Sequence, residues 1–335
     1  MSDFKSLKGL FIKHVSSDPS NLIEGQIWYN TTTQKLKVAP ELGAWASGGN
    51  MTTARGSNSE QFIGTQTAAL VGGGFIGPAG SNKTAVTEEY DGSSWTESGD
   101  LSTARSNAGG FGIQTAAVVA GGELPPTNES LATEEYNGSS WANGENVPIY
   151  KVSHSGTGVL TAGLMAGGAG SPDGDPGTSG ATAATLEYDG TDWTAGGDVN
   201  TVRYRAGVVG TQTAGLKFGG GNPGFTGPTE SYDGSSWTAL PNSLGTGRAG
   251  LGQAGTQTSA LGFGGYLPGF SALTEEWDGS SWAAASAIAT ARTGAASAGT
   301  TSSALMAGGA NPHTTTAATT EEWTKAGTAR SVDTT

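Results

Sequence analysis

The sequence has no cysteine, few basic residues and no long hydrophobic run. Without cysteine, the chain of 335 residues can form neither disulfides nor thiolate metal sites. Its 16 lysines and arginines against 29 aspartates and glutamates give a formal net charge of −13. Such a charge disfavours nucleic acid as a partner, because phosphates are bound by basic surfaces. No segment is long and apolar enough for a signal peptide or a membrane span, so we expect synthesis in a cytoplasm without membrane insertion.

The chain is instead rich in glycine, with 57 residues, and the same phrase returns six times. A double glycine is followed by a variable segment, an acidic residue beside an aromatic one, and a tryptophan five residues later. The tryptophans Trp45, Trp95, Trp141, Trp193, Trp237 and Trp282 recur every 44 to 52 residues. The double glycines are Gly72-Gly73, Gly121-Gly122, Gly167-Gly168, Gly219-Gly220, Gly264-Gly265 and Gly308-Gly309. This period is typical of propeller blades.

Each repeat contains four short strand signals and no helical periodicity. A small-residue strand, a GTQT-type turn and an apolar strand come before the double glycine. A strand such as Thr87–Tyr90 follows the variable loop, and an Asp-Gly or Asn-Gly hairpin turn leads to the tryptophan strand. Six such repeats predict an all-β, six-bladed β-propeller over residues 45–335. We expect Trp45 and its flanks to close it as the outermost strand of the sixth blade, beside residues 319–324.

The order of these marks resembles the kelch repeat over roughly residues 45–330. The resemblance implies a kelch-like propeller, although Lys151 replaces the recurrent arginine in the third repeat. Residues 1–44 do not fit the repeat and predict a small β-hairpin attachment module. The phrase EGQIWYNTTTQKLKV in this region, together with GTQTAAL and YDGSSWT in the repeats, is similar to structural and tail-fibre-like proteins of marine bacteriophages. That similarity implies a virion component.

Tandem glutamates such as Glu88-Glu89 recur in most repeats, but their pattern does not indicate catalysis. A glycosidase needs two converging carboxylates, whereas adjacent residues on a strand point to opposite faces. We expect one glutamate of each repeat to pair with the recurrent arginine, which is Arg55, Arg105, either Arg203 or Arg205, Arg248 or Arg292. The histidines His14, His154 and His313 lack metal-ligand spacing. No catalytic residue, metal or cofactor is therefore predicted.

The variable loops after the double glycines share one face with the connections between repeats, and this face is the candidate binding surface. The candidate residues there are Phe75, Ile76, Leu124, Asp173, Asp175, Phe225, Tyr266, Phe270 and His313. Aromatic side chains can stack on sugars or anchor a protein interface. Local packing within each loop is the competing interpretation. Asp173 and Asp175 are two spaced acids without the glutamate of an EF-hand, so a solvated turn is favoured over a calcium site.

The sequence thus predicts a non-enzymatic virion protein, tail-fibre or adhesin-like. Its loop face would bind a host-surface glycan or protein, and residues 1–44 would dock on other virion proteins. Two alternatives stay open. One is a purely structural decoration or collar protein, which a large apolar contact through the loop face would favour. The other is a polysaccharide-acting enzyme, which converging acids in a central depression would favour.

Overall fold

The computed structural model describes residues 12–17, 26–38, 43–56, 63–77, 82–126, 128–170, 180–222, 224–310, 316–325 and 330–331. Within these ranges the regular secondary structure is all β, and none of them contains a helix long and apolar enough to cross a membrane. The chain divides into two compact units. One is Met1–Ala44 with Lys325–Thr335, and the other is Trp45–Thr324.

The repeats fold into six four-stranded sheets within the described residues, each built from one repeat. Sheet 1 consists of Gly64–Thr65, Ala68–Gly72, Thr87–Tyr90 and Trp95–Glu97. Sheet 2 consists of Gly109–Ile113, Ala116–Ala120, Thr133–Tyr136 and Trp141–Asn143. Sheet 3 consists of Ser155–Val159, Ala162–Ala166, Thr185–Tyr188 and Trp193–Ala195.

The later sheets repeat this plan. Sheet 4 consists of Gly207–Thr211, Ala214–Phe218, Thr229–Tyr232 and Trp237–Leu240. Sheet 5 consists of Gly252–Thr256, Ser259–Phe263, Thr274–Trp277 and Trp282–Ala285. Sheet 6 consists of Ala296–Gly299, Ser303–Ala307, Thr320–Thr324 and, from the start of the repeats, Ala44–Ser47. Strands of sheets 1–5 pair antiparallel in chain order, as do the first three of sheet 6.

Four of the variable loops contain short two-stranded ladders. They pair Phe75–Ile76 with Asn82–Lys83, Glu123–Leu124 with Asn128–Glu129, Ala169–Gly170 with Gly180–Ala181, and Tyr266–Leu267 with Gly269–Phe270. Because these loops carry backbone pairing of their own, the side chains on them are held in defined positions.

The hydrophobic core lies between neighbouring sheets. One cluster joins Val71, Tyr90 and Trp95 of sheet 1 to Ala298 and Leu305 of sheet 6. The same kind of cluster recurs between the other neighbours. Each sheet therefore buries both faces against others, which explains why the second strands, such as Ala116–Ala120, are buried almost throughout.

The recurrent tryptophan covers the junction between neighbouring sheets. Each indole Nε1 donates a hydrogen bond of 2.9 to 3.1 Å to a threonine Oγ1 on the neighbouring sheet. The pairs are Trp45–Thr274, Trp95–Thr320, Trp141–Thr87, Trp193–Thr133, Trp237–Thr185 and Trp282–Thr229. A buried indole thus contributes both apolar area and a satisfied donor.

The turn glutamine supplies a second link between neighbours. Gln114 donates to the carbonyl oxygens of Ala69 and Tyr90 in sheet 1. Gln212 of sheet 4 and Gln257 of sheet 5 make the same bonds to sheets 3 and 4, and Gln66 of sheet 1 makes them to sheet 6. The GTQT phrase therefore specifies a bond across a junction as well as a turn.

The double glycine ends the second strand in a left-handed conformation. Both residues have positive φ in every repeat, for example 67° at Gly121 and 88° at Gly122. In the first repeat the equivalent pair is Gly73 and Gly74, one residue later than the pair read from the sequence. A Cβ on Gly121 would lie 2.6 Å from the Lys151 carbonyl oxygen, so glycine is required by both conformation and space.

The smaller unit contains its own sheet. Ile27–Asn30 and Lys35–Val38 form the expected antiparallel hairpin, and Lys13–Val15 adds a parallel strand beside the first of them. Arg330–Ser331 pairs with Lys35–Val38 at the other edge of this sheet. These two residues therefore belong to the smaller unit, whereas the sequence predicted a propeller that extends to residue 335. Trp28 is fully buried within this unit. In outline, the protein is all-β with a propeller-like set of four-stranded antiparallel sheets.

Candidate binding site on the loop face

The loop face of the unit Trp45–Thr324 consists of the loops after the double glycines and the connections between sheets. Backbone bridges join the two kinds of segment in each repeat, such as Tyr204 with Gly221 and Ala249 with Tyr266. Of the nine predicted residues, six belong to the described part of this face. Asp173, Asp175 and His313 lie outside the described residues.

Phe75, Ile76 and Leu124 lie together where the loops of sheets 1 and 2 meet. All three are half-buried. Lys83 holds the two loops together, because its Nζ donates to the Leu124 carbonyl oxygen at 2.7 Å and lies 3.4 Å from a Glu123 carboxylate oxygen. The same ammonium group is 5.8 Å from the centre of the Phe75 ring. These contacts fit the local-packing interpretation of the three side chains.

Phe225, Tyr266 and Phe270 form a second group on the loops of sheets 4 and 5. The Tyr266 ring is 5.4 Å from Phe225 and 5.5 Å from Phe270, edge to face in both cases. Phe225 is 42% exposed, whereas Tyr266 and Phe270 are half-buried. Edge-to-face packing orients the rings while leaving part of their surface open to solvent.

The second group borders a pocket of about 210 Å³. Its lining residues are Tyr204, Arg205, Phe225, Ala249, Tyr266 and Thr293. The sequence pointed to Phe225 and Tyr266 but missed the other four, which lie on the connections between sheets. These four residues carried no separate signal, because they lie within the repeated phrase. Arg205, for example, was one of two candidates for the recurrent arginine. Concave sites with aromatic walls and few polar groups are typical of ligand pockets.

The backbone beside this pocket is held by a chain of hydrogen bonds that crosses the sheets. The Ser153 N–H donates to Asn107 O, Arg205 to Ser153, Gly250 to Arg205 and Gly294 to Gly250, at 2.8 to 3.1 Å. All five residues follow the recurrent basic position of their repeat by two residues and have positive φ, which is 52° for Arg205. The conformation of Arg205 is therefore fixed from both sides.

The recurrent arginines are buried and paired with glutamates, as predicted. The pairs are Arg55–Glu88, Arg105–Glu134, Arg203–Glu230, Arg248–Glu275 and Arg292–Glu321. In the fourth repeat the structure selects Arg203, whose Nη2 is 2.8 Å from Glu230 Oε1. Burial lowers the pKa of Arg203, and the charge of Glu230 opposes that shift. A buried guanidinium needs such a partner to remain charged at acceptable cost.

The second glutamate of the tandem has a different partner. Tyr136 donates its hydroxyl to Glu89, Tyr188 to Glu135, Tyr232 to Glu187 and Tyr90 to Glu322, each on the neighbouring sheet. Burial and the bond to Glu322 raise the pKa of Tyr90 to about 12. The two tandem carboxylates thus have partners on opposite sides of the strand. The first pairs with the arginine of its own repeat, and the second accepts a hydrogen bond from a tyrosine of the next repeat.

Sheet 3 departs from this pattern and leaves basic groups buried without the usual acid. Lys151 replaces the arginine and Leu186 replaces the glutamate, and both are at most 2% exposed. The Lys151 Nζ donates to the Ala184 carbonyl oxygen at 2.6 Å, and burial lowers its pKa to about 7. Lys217 in sheet 4 and His154 beside sheet 3 are also buried, and burial lowers the pKa of each well below its ordinary value.

No group of three or more acidic or histidine side chains that could hold a metal ion occurs among the described residues. His14 lies in the smaller unit against Tyr29, whereas His154 accepts a hydrogen bond from the Gly109 N–H. The two histidines therefore make different contacts. In the described part of the loop face, the pocket at Arg205 combines a basic side chain with aromatic walls. No family model matches the chain, and no curated protein matches it.

Proposed function

We propose that this chain is a bacteriophage virion protein that attaches the particle to a host-surface glycan or protein through its loop face. The repeats would form a six-bladed propeller closed by Ala44–Ser47, and the protein would have no catalytic activity. The observation that carries the binding role is the pocket at Arg205, walled by Phe225 and Tyr266 on loops with their own backbone pairing. Variable loops on a rigid β scaffold are a common place for recognition.

Three contacts support closure into a ring. Trp95 in sheet 1 donates to Thr320 in sheet 6, Tyr90 donates to Glu322, and Gln66 bonds two carbonyl oxygens of sheet 6. Ala44–Ser47 occupies the outer edge of sheet 6, beside Thr320–Thr324. The tryptophan–threonine bond also occurs at each of the other junctions between neighbouring sheets, and the tyrosine and glutamine bonds recur at several of them. These shared contacts support the proposal that sheets 1 and 6 are neighbours of the same kind.

The virion role rests on the resemblance of residues 24–38 and of the repeat phrases to phage structural proteins. The small unit fits an attachment module because it carries a sheet and a buried tryptophan of its own. Its partners would be other virion proteins. Cross-linking of assembled particles followed by peptide mapping tests this part, and we expect cross-links from residues 1–44 to other virion proteins.

The binding role is tested with the full chain on an array of bacterial surface glycans and on host cells. We expect Phe225→Ala combined with Tyr266→Ala to abolish binding. The matched control is Ile113→Ala, because Ile113 is 49% exposed but lies beside a short turn at the opposite end of its strand. Binding that is unchanged in the double variant, or lost equally in the control, would contradict the proposal.

A decoration protein remains the second candidate, and one observation favours it. Phe225 and Leu273 are both exposed apolar side chains on loop segments of sheets 4 and 5, at 42% and 43%. Exposed apolar groups also suit a protein contact. In that case cross-links from the loop face would lead to virion proteins, and isolated protein would bind neither cells nor glycans.

A further inference from the structure

In the described part of the unit Trp45–Thr324, one basic side chain is partly exposed and lacks an acidic partner. The range 45–324 contains nine lysines and arginines: Arg55, Lys83, Arg105, Lys151, Arg203, Arg205, Lys217, Arg248 and Arg292. Five arginines are buried in glutamate pairs, Lys83 lies against Glu123, and Lys151 and Lys217 are buried on carbonyl oxygens. Among the described residues, Arg205 alone combines partial exposure with a guanidinium that has no acidic partner.

Arg205 also stands at a position where the other repeats carry no charge. The equivalent residues are Asn107, Ser153, Gly250 and Gly294, all in the left-handed region of φ. Asparagine and glycine suit that conformation, whereas arginine is disfavoured there. An unfavourable residue that is held in place at a pocket is a candidate for function. The side chain at this place is therefore specific to the pocket and is not part of the repeat.

The walls of the pocket define what would lie beside the guanidinium. Tyr204 and Tyr266 line it with aromatic rings, and Phe225 adds a ring that is 42% exposed. Aromatic faces stack on the apolar side of a sugar ring. A guanidinium presents a planar fork that matches a carboxylate with two parallel hydrogen bonds. A sugar that carries one carboxylate would use both features at once.

The charge of the site limits the ligand further. One guanidinium on a chain of net charge −13 can balance a single negative group, whereas a polyphosphate or a densely sulfated chain needs several cations. A neutral sugar would leave the guanidinium unused. The pocket therefore favours a singly charged, carboxylated monosaccharide unit within a glycan.

We propose that the pocket lined by Arg205, Tyr204, Phe225 and Tyr266 binds the carboxylate-bearing sugars of an acidic glycan, with Arg205 on the carboxylate and the aromatic rings on the sugar face. This inference rests on the proposed function, because it names the ligand class of the same binding face.

The test compares acidic glycans with their carboxyl-reduced counterparts, using the full chain. An array would carry uronate- and sialate-containing oligosaccharides, each beside the same oligosaccharide reduced to the neutral sugar. We expect the protein to bind at least one acidic member roughly tenfold or more tightly than its reduced form, since a lost charge-assisted hydrogen bond is of that order.

The variants are chosen to keep the fold. Arg205→Gly installs the residue that sheets 5 and 6 use at the equivalent position, so its left-handed backbone suits the change. We expect it to bind acidic and reduced glycans equally weakly. Arg205→Lys should retain part of the preference, because an ammonium keeps the charge but loses the fork. Far-ultraviolet circular dichroism of each variant checks that the fold is intact.

The outcomes separate the two proposals. Equal binding of acidic and reduced glycans by the unaltered protein would overturn the acidic-sugar inference and leave the glycan-binding function standing. Unchanged acid preference in Arg205→Gly would overturn the role of Arg205. A protein that binds no glycan on the array and no host cell would contradict the proposed function itself, and the inference with it.

Discussion

Sheets 2 and 3 have the same architecture but differ in one buried pair. In sheet 2, Arg105 and Glu134 form an ion pair of 2.5 Å, and Arg105 also donates to the Ala132 carbonyl oxygen. In sheet 3, Lys151 keeps the equivalent carbonyl bond, to Ala184, and Leu186 takes the place of the acid. Both partners have changed together, because an arginine without its glutamate would be a buried charge with no partner.

The comparison shows that a sheet can keep the carbonyl bond and do without the ion pair. A lysine can make that bond and lose its proton when burial lowers its pKa, whereas an arginine remains charged. The cost in sheet 3 is electrostatic: Lys151, His154 and Lys217 repel one another at the junction of sheets 3 and 4. We therefore expect the stability of this junction to depend on pH.

The largest expected effect comes from breaking the pair in sheet 2. Glu134→Leu leaves Arg105 buried and unpaired, and we expect it to lower the free energy of unfolding by about 3–5 kcal/mol, measured by urea denaturation. Adding Arg105→Lys reproduces the combination found in sheet 3 and should recover part of the loss. A cost below about 1 kcal/mol for Glu134→Leu, or no recovery in the double variant, would contradict the comparison.

Replacement of the buried Lys217, at the junction of sheets 3 and 4, should have the opposite effect and stabilise the fold. Lys217 aligns with Met165 in sheet 3 and Met306 in sheet 6, so Lys217→Met is matched by residues the fold already uses. Removal of the buried amine should raise the free energy of unfolding by about 1–4 kcal/mol near neutral pH, in the range seen when buried ionic groups are replaced by apolar ones. Destabilisation in urea would show that the bond to the Ala166 carbonyl oxygen outweighs the burial cost.

The tyrosine links should contribute less than the arginine pairs. Tyr136→Phe removes the hydroxyl that donates to Glu89, and we expect a loss of about 1.5–3 kcal/mol, typical of a hydrogen bond to a charged group. Tyr150→Phe serves as the control, because Tyr150 lies on a connection between sheets and outside these links. Equal effects of the two changes on the urea midpoint would remove the link as a source of stability.

The smallest expected effect, counted per pH unit, is the pH dependence of the free energy of unfolding that comes from Lys151. The pKa of Lys151 is about 7 in the folded protein and 10.5 ordinarily, so between these values the unfolded chain binds a proton that the folded chain does not. The free energy of unfolding should therefore rise with pH over this window, by up to about 1.4 kcal/mol per pH unit, and fall as pH drops towards 7. In Lys151→Met the slope over the same window should be lower by that amount.

Much of the fold could be predicted from the repeat, since each mark carries local information. Asp-Gly and Asn-Gly specify the hairpin turns, and the four strands expected in each repeat are present. The pairing of glutamate with arginine was also correct. The strand at Arg330–Ser331 was missed, because two residues carry no periodicity from which a partner could be inferred.

The candidate site could be predicted only in part. Phe225, Tyr266 and Phe270 were identified from loops that vary between repeats, and the structure brings them together. Phe75, Ile76 and Leu124 met the same criterion but are half-buried, and Lys83 lies over the Phe75 ring and bonds the Leu124 carbonyl oxygen. Such contacts depend on which groups lie opposite in space. Neither group could be told from the other by residue type alone.

The sequence by itself determined the repeat, its strand content and the residues that every repeat shares, because these depend on short-range backbone preferences and on periodic burial. Only the tertiary structure decided between Arg203 and Arg205. The two arginines lie two residues apart on one connection and have the same chemistry. The carboxylate of Glu230, 27 residues from Arg203 in sequence, bonds Arg203 and not Arg205. That long-range contact commits Arg203 to the core and leaves Arg205 at the pocket.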